Sequence, residues 1–402
     1  MSKEQSFDTA CIHAGQKKDE HRAHLTPIYA SSTYTMDDAQ YGADLFTGKQ
    51  EGYIYGRFGN PNTNEVEDKI VALETHALGL EAKAILHASG MGAISTAILV
   101  NVSSGKKVLS HFSLYGGTQE LVDKVLPPLN IESILVDFQD LNKVEVELKN
   151  NKDIAVMYIE TPANPTLRCI DVKALCDLAK KYNVKTICDN TFATPYLQQP
   201  FAFGVDFIIH STTKYLNGHG TAIGGILLGR DIDFMNTKVT KHHRLLGANG
   251  NAFDAFLLNN GVKTLALRME KHCINAEQVA AFLEGHAAIE KVNYLGLPSH
   301  PDFDLAKKQM KHAGGMMSFE IIGGFANGKT FIDNMKLCTH AVSLGTLDTL
   351  VSHPASTTHF GVTAEMKEKS EITEGLIRVS VGLEDANDII KDFEQALSKC
   401  TR

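Results

Sequence analysis

The 402-residue chain has no Cys-x-x-Cys pair, no block of basic residues and no apolar run long enough to span a membrane. Each absence excludes something. Its seven cysteines (Cys11, Cys169, Cys176, Cys188, Cys273, Cys338 and Cys400) are odd in number and scattered. This argues against a disulfide framework or a cysteine-ligated zinc site and predicts reduced thiols packed as small hydrophobes. A formal net charge of −8 without a basic stripe removes the electrostatic footprint that nucleic acid or an anionic membrane surface needs, so small molecules are the expected partners. The longest apolar stretch, around Ala97–Val102, falls far short of the ~20 residues of a membrane helix. Met1–Gln16 has no apolar segment of the signal-peptide kind, and a cytoplasmic location is expected. The neighbours His242 and His243 would point in different directions on regular structure, so they read as a solvated loop and not as metal ligands.

What is present is the composition of a globular protein, 43% apolar and 21% charged, at a length that suits two domains. Residues 1–62 are rich in Gly, Asp, Thr and Tyr without a sustained helical period, and read as an N-terminal arm. From about Val66 short apolar runs alternate with helical patterns: AKAILHAS then GMGAISTAILV, IAVMYIE then VKALCDLAKKYN, VKTICDN, VDFIIHSTT and GGILLG. That alternation predicts an α/β large domain over 63–258, built on a mostly parallel sheet. The strand-like MMSFEIIG and LIRVSVG, with helical patterns between and after them, predict a smaller α+β domain over 259–402.

Two segments, ICDNTFATPY and FIIHSTTKYLNGHG, each place a polar residue just past a buried strand, where open α/β sheets keep their ligand crevice. Asp189 and Lys214 would thereby share one rim. Taken singly, Asp189 reads as a turn cap and Lys214 as a surface lysine. Together they match what pyridoxal 5′-phosphate (PLP) needs: a lysine for the Schiff base, an acid for the pyridine nitrogen, and phosphate donors, here Ser211 and Thr213. Ser89-Gly90-Met91-Gly92 opens a helix, where free N–H groups and the dipole form an anion site; it lacks the lysine of a nucleotide-binding phosphate loop. Tyr115, at the next strand-to-helix junction, suits either ring stacking and proton exchange or a place in the core. Arg378 interrupts an apolar strand pattern and could grip a substrate carboxylate or form a structural salt bridge.

With IYGRFGNPNTNEVE, SGMGAI, LYGGT, ETPANPT, DNTFATPY, HSTTKYLNGHG, VSLGTLDTLVSHPAS and LIRVSVGLED in order, nearly the whole chain resembles the PLP-dependent transsulfuration (Cys/Met metabolism) enzymes. The resemblance implies fold type I and a homotetramer of two catalytic dimers. It also implies that Tyr55 and Arg57 reach the cofactor phosphate of a neighbouring subunit. Gly90, Met91, Ser211 and Thr213 would hold the phosphate from the same chain, Tyr115 would stack on the ring, and Asn164 would bind the ring hydroxyl. Asp189 would face the pyridine nitrogen and Lys214 would form the Schiff base. Ser343 and Arg378 would hold the substrate carboxylate, and Glu160 would play a supporting part.

Within that family the resemblance points to γ-elimination from a sulfur amino acid, L-methionine first. Family members that act on cystathionine carry glutamate where Val342 stands, and His353-Pro354-Ala355-Ser356 looks like the methionine lyases. Four positions depart from the methionine-lyase pattern: Gly117 for cysteine, His243-Arg244 for Lys-Asp, and Thr221 for aspartate. Gly247–Asp254 is closer to γ-synthases, so cystathionine lysis and γ-replacement remain alternatives.

Overall fold

The computed structural model describes residues 5–357 and 371–401. Seven strands form the larger sheet: β1 (Lys83–His87), β2 (Lys107–Ser110), β3 (Glu132–Leu135), β4 (Ile154–Glu160), β5 (Lys185–Asp189), β6 (Phe207–His210) and β7 (Gly225–Gly229). Their order is β1-β7-β6-β5-β4-β2-β3. The pairs β3–β2, β2–β4, β4–β5 and β5–β6 are parallel, while β7 runs antiparallel to both β6 and β1. Six strands therefore end on one rim and β7 alone points the other way. Buried helices cover both faces, which is why the strands read as continuous apolar runs. In β4, Val156 and Tyr158 belong to one core cluster and Met157 and Ile159 to the other.

A second sheet contains β8 (Ile289–Asn293), β9 (Met316–Ile321), β10 (Thr339–His340), β11 (Leu350–Ser352) and β12 (Leu376–Ser380), in the order β10-β11-β12-β9-β8. It is antiparallel except at β10–β11, and it packs around its own cluster, in which Phe319, Phe331 and Phe393 meet. Among the described residues no helix is long and apolar enough to cross a membrane. All seven cysteines are free, and Cys400 alone is more than slightly exposed.

The first sixty residues hold two short helices, α1 (Phe7–His13) and α2 (Ala39–Thr47). At 7 and 9 residues they are too short to display a helical period, although their N-caps Ser6 and Asp38 are visible signals. α1 lies against α3 (Pro61–Glu74), where the buried Lys69 Nζ donates to the carbonyls of Cys11 and Ile12, each at 2.9 Å. The solvated-loop reading of His242 and His243 is corrected. Both lie in the helix Thr240–Leu246, and His243 is buried with Nε2 donating to the Leu86 carbonyl at 3.0 Å. The exposed Leu245 and Leu246 blur the apolar face of that helix in the sequence.

Candidate active site

The carboxyl rim of the large sheet is where loops of different strands meet, and most of the expected site residues collect there. β4 and β5 are in register with Glu160 opposite Asp189, so two carboxylates end at the same height. β6 delivers Ser211, Thr213 and Lys214 through a turn in which Lys214 N donates to Ser211 O at 3.2 Å. β1 leads into α4 (Gly90–Asn101), whose N-cap Ser89 accepts from Gly92 N at 3.0 Å. Such a cap leaves the earlier N–H groups of Gly90 and Met91 outside the helical ladder. Together these elements line a cavity of about 270 Å³ that also exposes Tyr115, Asn164, Val342 and Arg378.

Bonds across the cavity join the two sheets. Lys214 Nζ donates to Ser343 Oγ at 3.0 Å. Arg378, central in β12 and 4% exposed, donates to Asn164 Oδ1 at 3.2 Å and to the carbonyls of Val342 and Ser343 at 3.2 and 3.0 Å. Its guanidinium is thus held by neutral acceptors, with its charge left for a ligand. Tyr115 N donates to Glu160 Oε2 at 2.9 Å, which fixes the start of the helix behind the Tyr115 ring. Thr213 Oγ1 exchanges bonds with the Gly224 backbone, accepting at 3.0 Å and donating at 3.2 Å.

Burial tunes the charges. The Lys214 amine is pushed down to about 8 by burial, and next by the Arg378 charge. Burial raises Asp189, against the lowering effect of its bonds with Thr191, and burial also raises Glu160, with the Asp189 charge second. The hydrogen bonds of Asp189 come from neutral groups: Tyr158 OH at 3.3 Å and Thr191 N at 3.0 Å. The buried Glu160 and half-buried Asp189 carboxylates on adjacent strands therefore favour a cation in front of them.

Gly90 supplies a second constraint, because a Cβ there would sit 2.9 Å from Ser211 Cβ and 3.1 Å from its Oγ. The lack of a side chain keeps open a cradle between a helix start and a hydroxyl, the shape and polarity a phosphate takes. A protonated pyridine nitrogen facing Asp189, a phosphate at Gly90 and Ser211, and an aldehyde within reach of Lys214 fit this arrangement. The site and the sheet that carries it define a PLP-dependent enzyme of fold type I.

Comparison with known proteins makes the assignment more specific. The chain belongs to the Cys/Met metabolism PLP-dependent enzyme family, whose model matches residues 8–398. It is 45% identical over 392 residues to L-methionine gamma-lyase of Porphyromonas gingivalis, covering 97% of this chain and 96% of that one. It is 39% identical over 401 residues to cystathionine beta-lyase of Lactococcus lactis, covering 98% and 99% respectively. The crystal structure of cystathionine gamma-lyase from Lactobacillus plantarum complexed with L-serine superposes with a TM-score of 0.91 at 35% identity, over 98% of this chain and 99% of that one.

Two expected residues lie elsewhere within a single chain. Arg57 lines a different cavity, of about 900 Å³, where it donates to the Arg244 carbonyl at 2.6 Å; Tyr55 is exposed and its ring meets Phe58. Conversely, Tyr158, Thr191 and Phe192 belong to the site and were not singled out in the sequence. Tyr158 precedes Glu160 by two positions, the spacing that puts both on one face of a strand, and Thr191 and Phe192 sit inside the DNTFATPY segment.

Proposed function

We propose that this chain is a carbon–sulfur lyase that carries out γ-elimination, with L-methionine as the preferred substrate. The products are 2-oxobutanoate, ammonia and methanethiol, with one water consumed. The observation that carries the reading is the apolar Val342 on the cavity wall beside Arg378 and Lys214, with no carboxylate at that position to meet a distal amino group. The similarity to the P. gingivalis enzyme supports it.

When bound, PLP supplies an electron sink for the pair left at Cα. Gly90, Met91, Ser211 and Thr213 would hold its phosphate, Asn164 its ring hydroxyl and Asp189 its protonated nitrogen, with Tyr115 over the ring. Arg378 and Ser343 orient the substrate carboxylate, which places the Cα proton within reach of the Lys214 amine. An amine whose pKa lies near 8 both accepts and returns a proton at neutral pH. Lys214 Nζ takes the proton from Cα and, once it has passed that proton on, a second from Cβ; the Cβ pair expels the sulfur from Cγ, and the Tyr115 hydroxyl donates a proton to it. Glu160, through the Tyr115 N–H, keeps that hydroxyl in place.

The site is completed by Tyr55 and Arg57 of a second copy, in a homotetramer of catalytic dimers, and the enzyme works in the cytoplasm on small amino acids. Its free, buried cysteines suit a reducing compartment. A second reading, cystathionine lysis or γ-replacement, draws on Gly117, Thr221 and His243-Arg244 and on the similarity to cystathionine beta-lyase. Release of 2-oxobutanoate and of pyruvate, and formation of the thiol-substituted amino acid, from methionine, cystathionine, homocysteine and O-acetylhomoserine, with and without added thiol, separates the two. Methionine should give the highest kcat/KM; equal or faster turnover of cystathionine overturns the primary reading.

A further inference from the structure

Behind the β5 and β6 ends lies a buried polar group that plays no part in the chemistry described so far. Glu74, His210 and Asn190 are each 0% exposed. His210 Nε2–H donates to Glu74 Oε1 at 2.6 Å, and Asn190 Nδ2 donates to the same oxygen at 2.9 Å and to the Gln198 carbonyl at 2.9 Å. Gln198 Nε2 returns a bond to Asn190 Oδ1 at 3.1 Å. The other Glu74 oxygen, Oε2, and the other His210 nitrogen, Nδ1, are buried without a hydrogen-bond partner.

A half-satisfied polar cluster is a poor way to stabilise a core. Each orphaned atom keeps its desolvation cost, and apolar residues of equal volume would pack as well or better. Stability alone does not account for these side chains. Their positions in the chain do. Asn190 directly follows Asp189, and His210 directly precedes Ser211. The β5–β6 ladder ends with Asp189 opposite Ile209, followed by one bond from Asn190 N to Ile209 O at 2.9 Å. Where the ladder stops, Ser211 N donates to Thr191 Oγ1 at 2.8 Å on the cavity side, and the shared carboxylate ties Asn190 to His210 on the other. Asp189 and Ser211 face the Lys214 cavity, while their neighbours turn to Glu74. Glu74 is itself the last residue of α3, anchored by the fully buried Ile70 and Leu73.

We infer that Glu74, with His210 and Asn190, is a positioning unit for the cofactor site. From one rigid helix it sets the spacing between the carboxylate expected at the ring nitrogen and the hydroxyl expected at the phosphate. The inference rests on the proposed roles of Asp189 and Ser211. A shift of either strand end would loosen the grip on the cofactor without removing any group that touches it.

The test is PLP dissociation, followed by cofactor absorbance in equilibrium dialysis, together with urea denaturation of each variant. Glu74→Ala should weaken PLP retention about tenfold or more, whereas Glu74→Gln, which keeps an acceptor, should stay within about threefold of the native protein. Combined with Ser211→Ala, the Glu74→Ala loss should be clearly less than additive, because both act through one contact. Full additivity, or native PLP retention in Glu74→Ala, overturns the inference and leaves a packing role. If Glu74→Ala does not fold, His210→Ala and His210→Gln are compared in the same way. Asp189→Asn and Ser211→Ala alone test the underlying reading. If neither weakens PLP binding, that reading fails; if both do and the Glu74 and His210 variants do not, the positioning inference alone fails.

Discussion

A buried amine next to a guanidinium holds its proton poorly, and Lys214 is in that position. With its pKa lowered from 10.5 to about 8, it is largely protonated at neutral pH yet deprotonates well below an ordinary lysine. The neutral amine is the form that attacks an aldehyde, so the rate of PLP capture by cofactor-free protein should rise with pH through about 8. A midpoint near 10.5 in a stopped-flow absorbance series would contradict this environment. The same shift acts on folding. Between about 8 and 10.5 the unfolded chain binds the extra proton, so this group makes the cofactor-free protein gain stability as pH rises through that window. Gly117 matters for a steric reason: a Cβ there would lie 2.7 Å from Tyr115 Cε1 and 3.0 Å from Met91 Sδ. Gly117→Ala must move the Tyr115 ring or the Met91 thioether, and because the methionine-lyase pattern carries a larger cysteine at this position, kcat should stay within about tenfold of the native value. A larger loss would mean that in this chain the ring position depends on the missing Cβ.

At the scale of elements, the strands that end on the active-site rim were legible because apolar stretches such as Val156–Ile159 and Phe207–Ile209 turn abruptly polar at their ends. Asp189 and Lys214 could be placed from that pattern alone. The reversed direction of β7 was not legible, because GGILLG carries no mark of which way it runs. Glu74 and His210 were missed for another reason. They lie 136 positions apart, and nothing local in α3 or β6 signals that a carboxylate and an imidazole meet. His243 was misread because one short helix with exposed leucines hides its period. The docking of α1 offers a test of packing at this scale. Lys69→Met removes the donor to the buried Cys11 carbonyl and the half-buried Ile12 carbonyl and should destabilise the protein by about 1–3 kcal/mol in urea unfolding. No loss of stability would mean that α1 is held by its apolar face alone.

For the whole molecule, the placement of Tyr55 and Arg57 away from their own Lys214 cavity is what a site completed by a second copy requires. Arg57→Ala and Lys214→Ala should each be nearly inactive by themselves. In a mixed oligomer one intact Lys214 site can meet one intact Arg57, so co-refolding the two variants should restore a substantial fraction of activity. No recovery would place both residues in one chain's site. The most direct measurement of the central claim is borohydride reduction of the PLP-loaded protein, followed by peptide mass spectrometry. A pyridoxyl-phosphate adduct on Lys214, lost in Lys214→Ala, is the predicted result; an adduct on another lysine, or none, would contradict it.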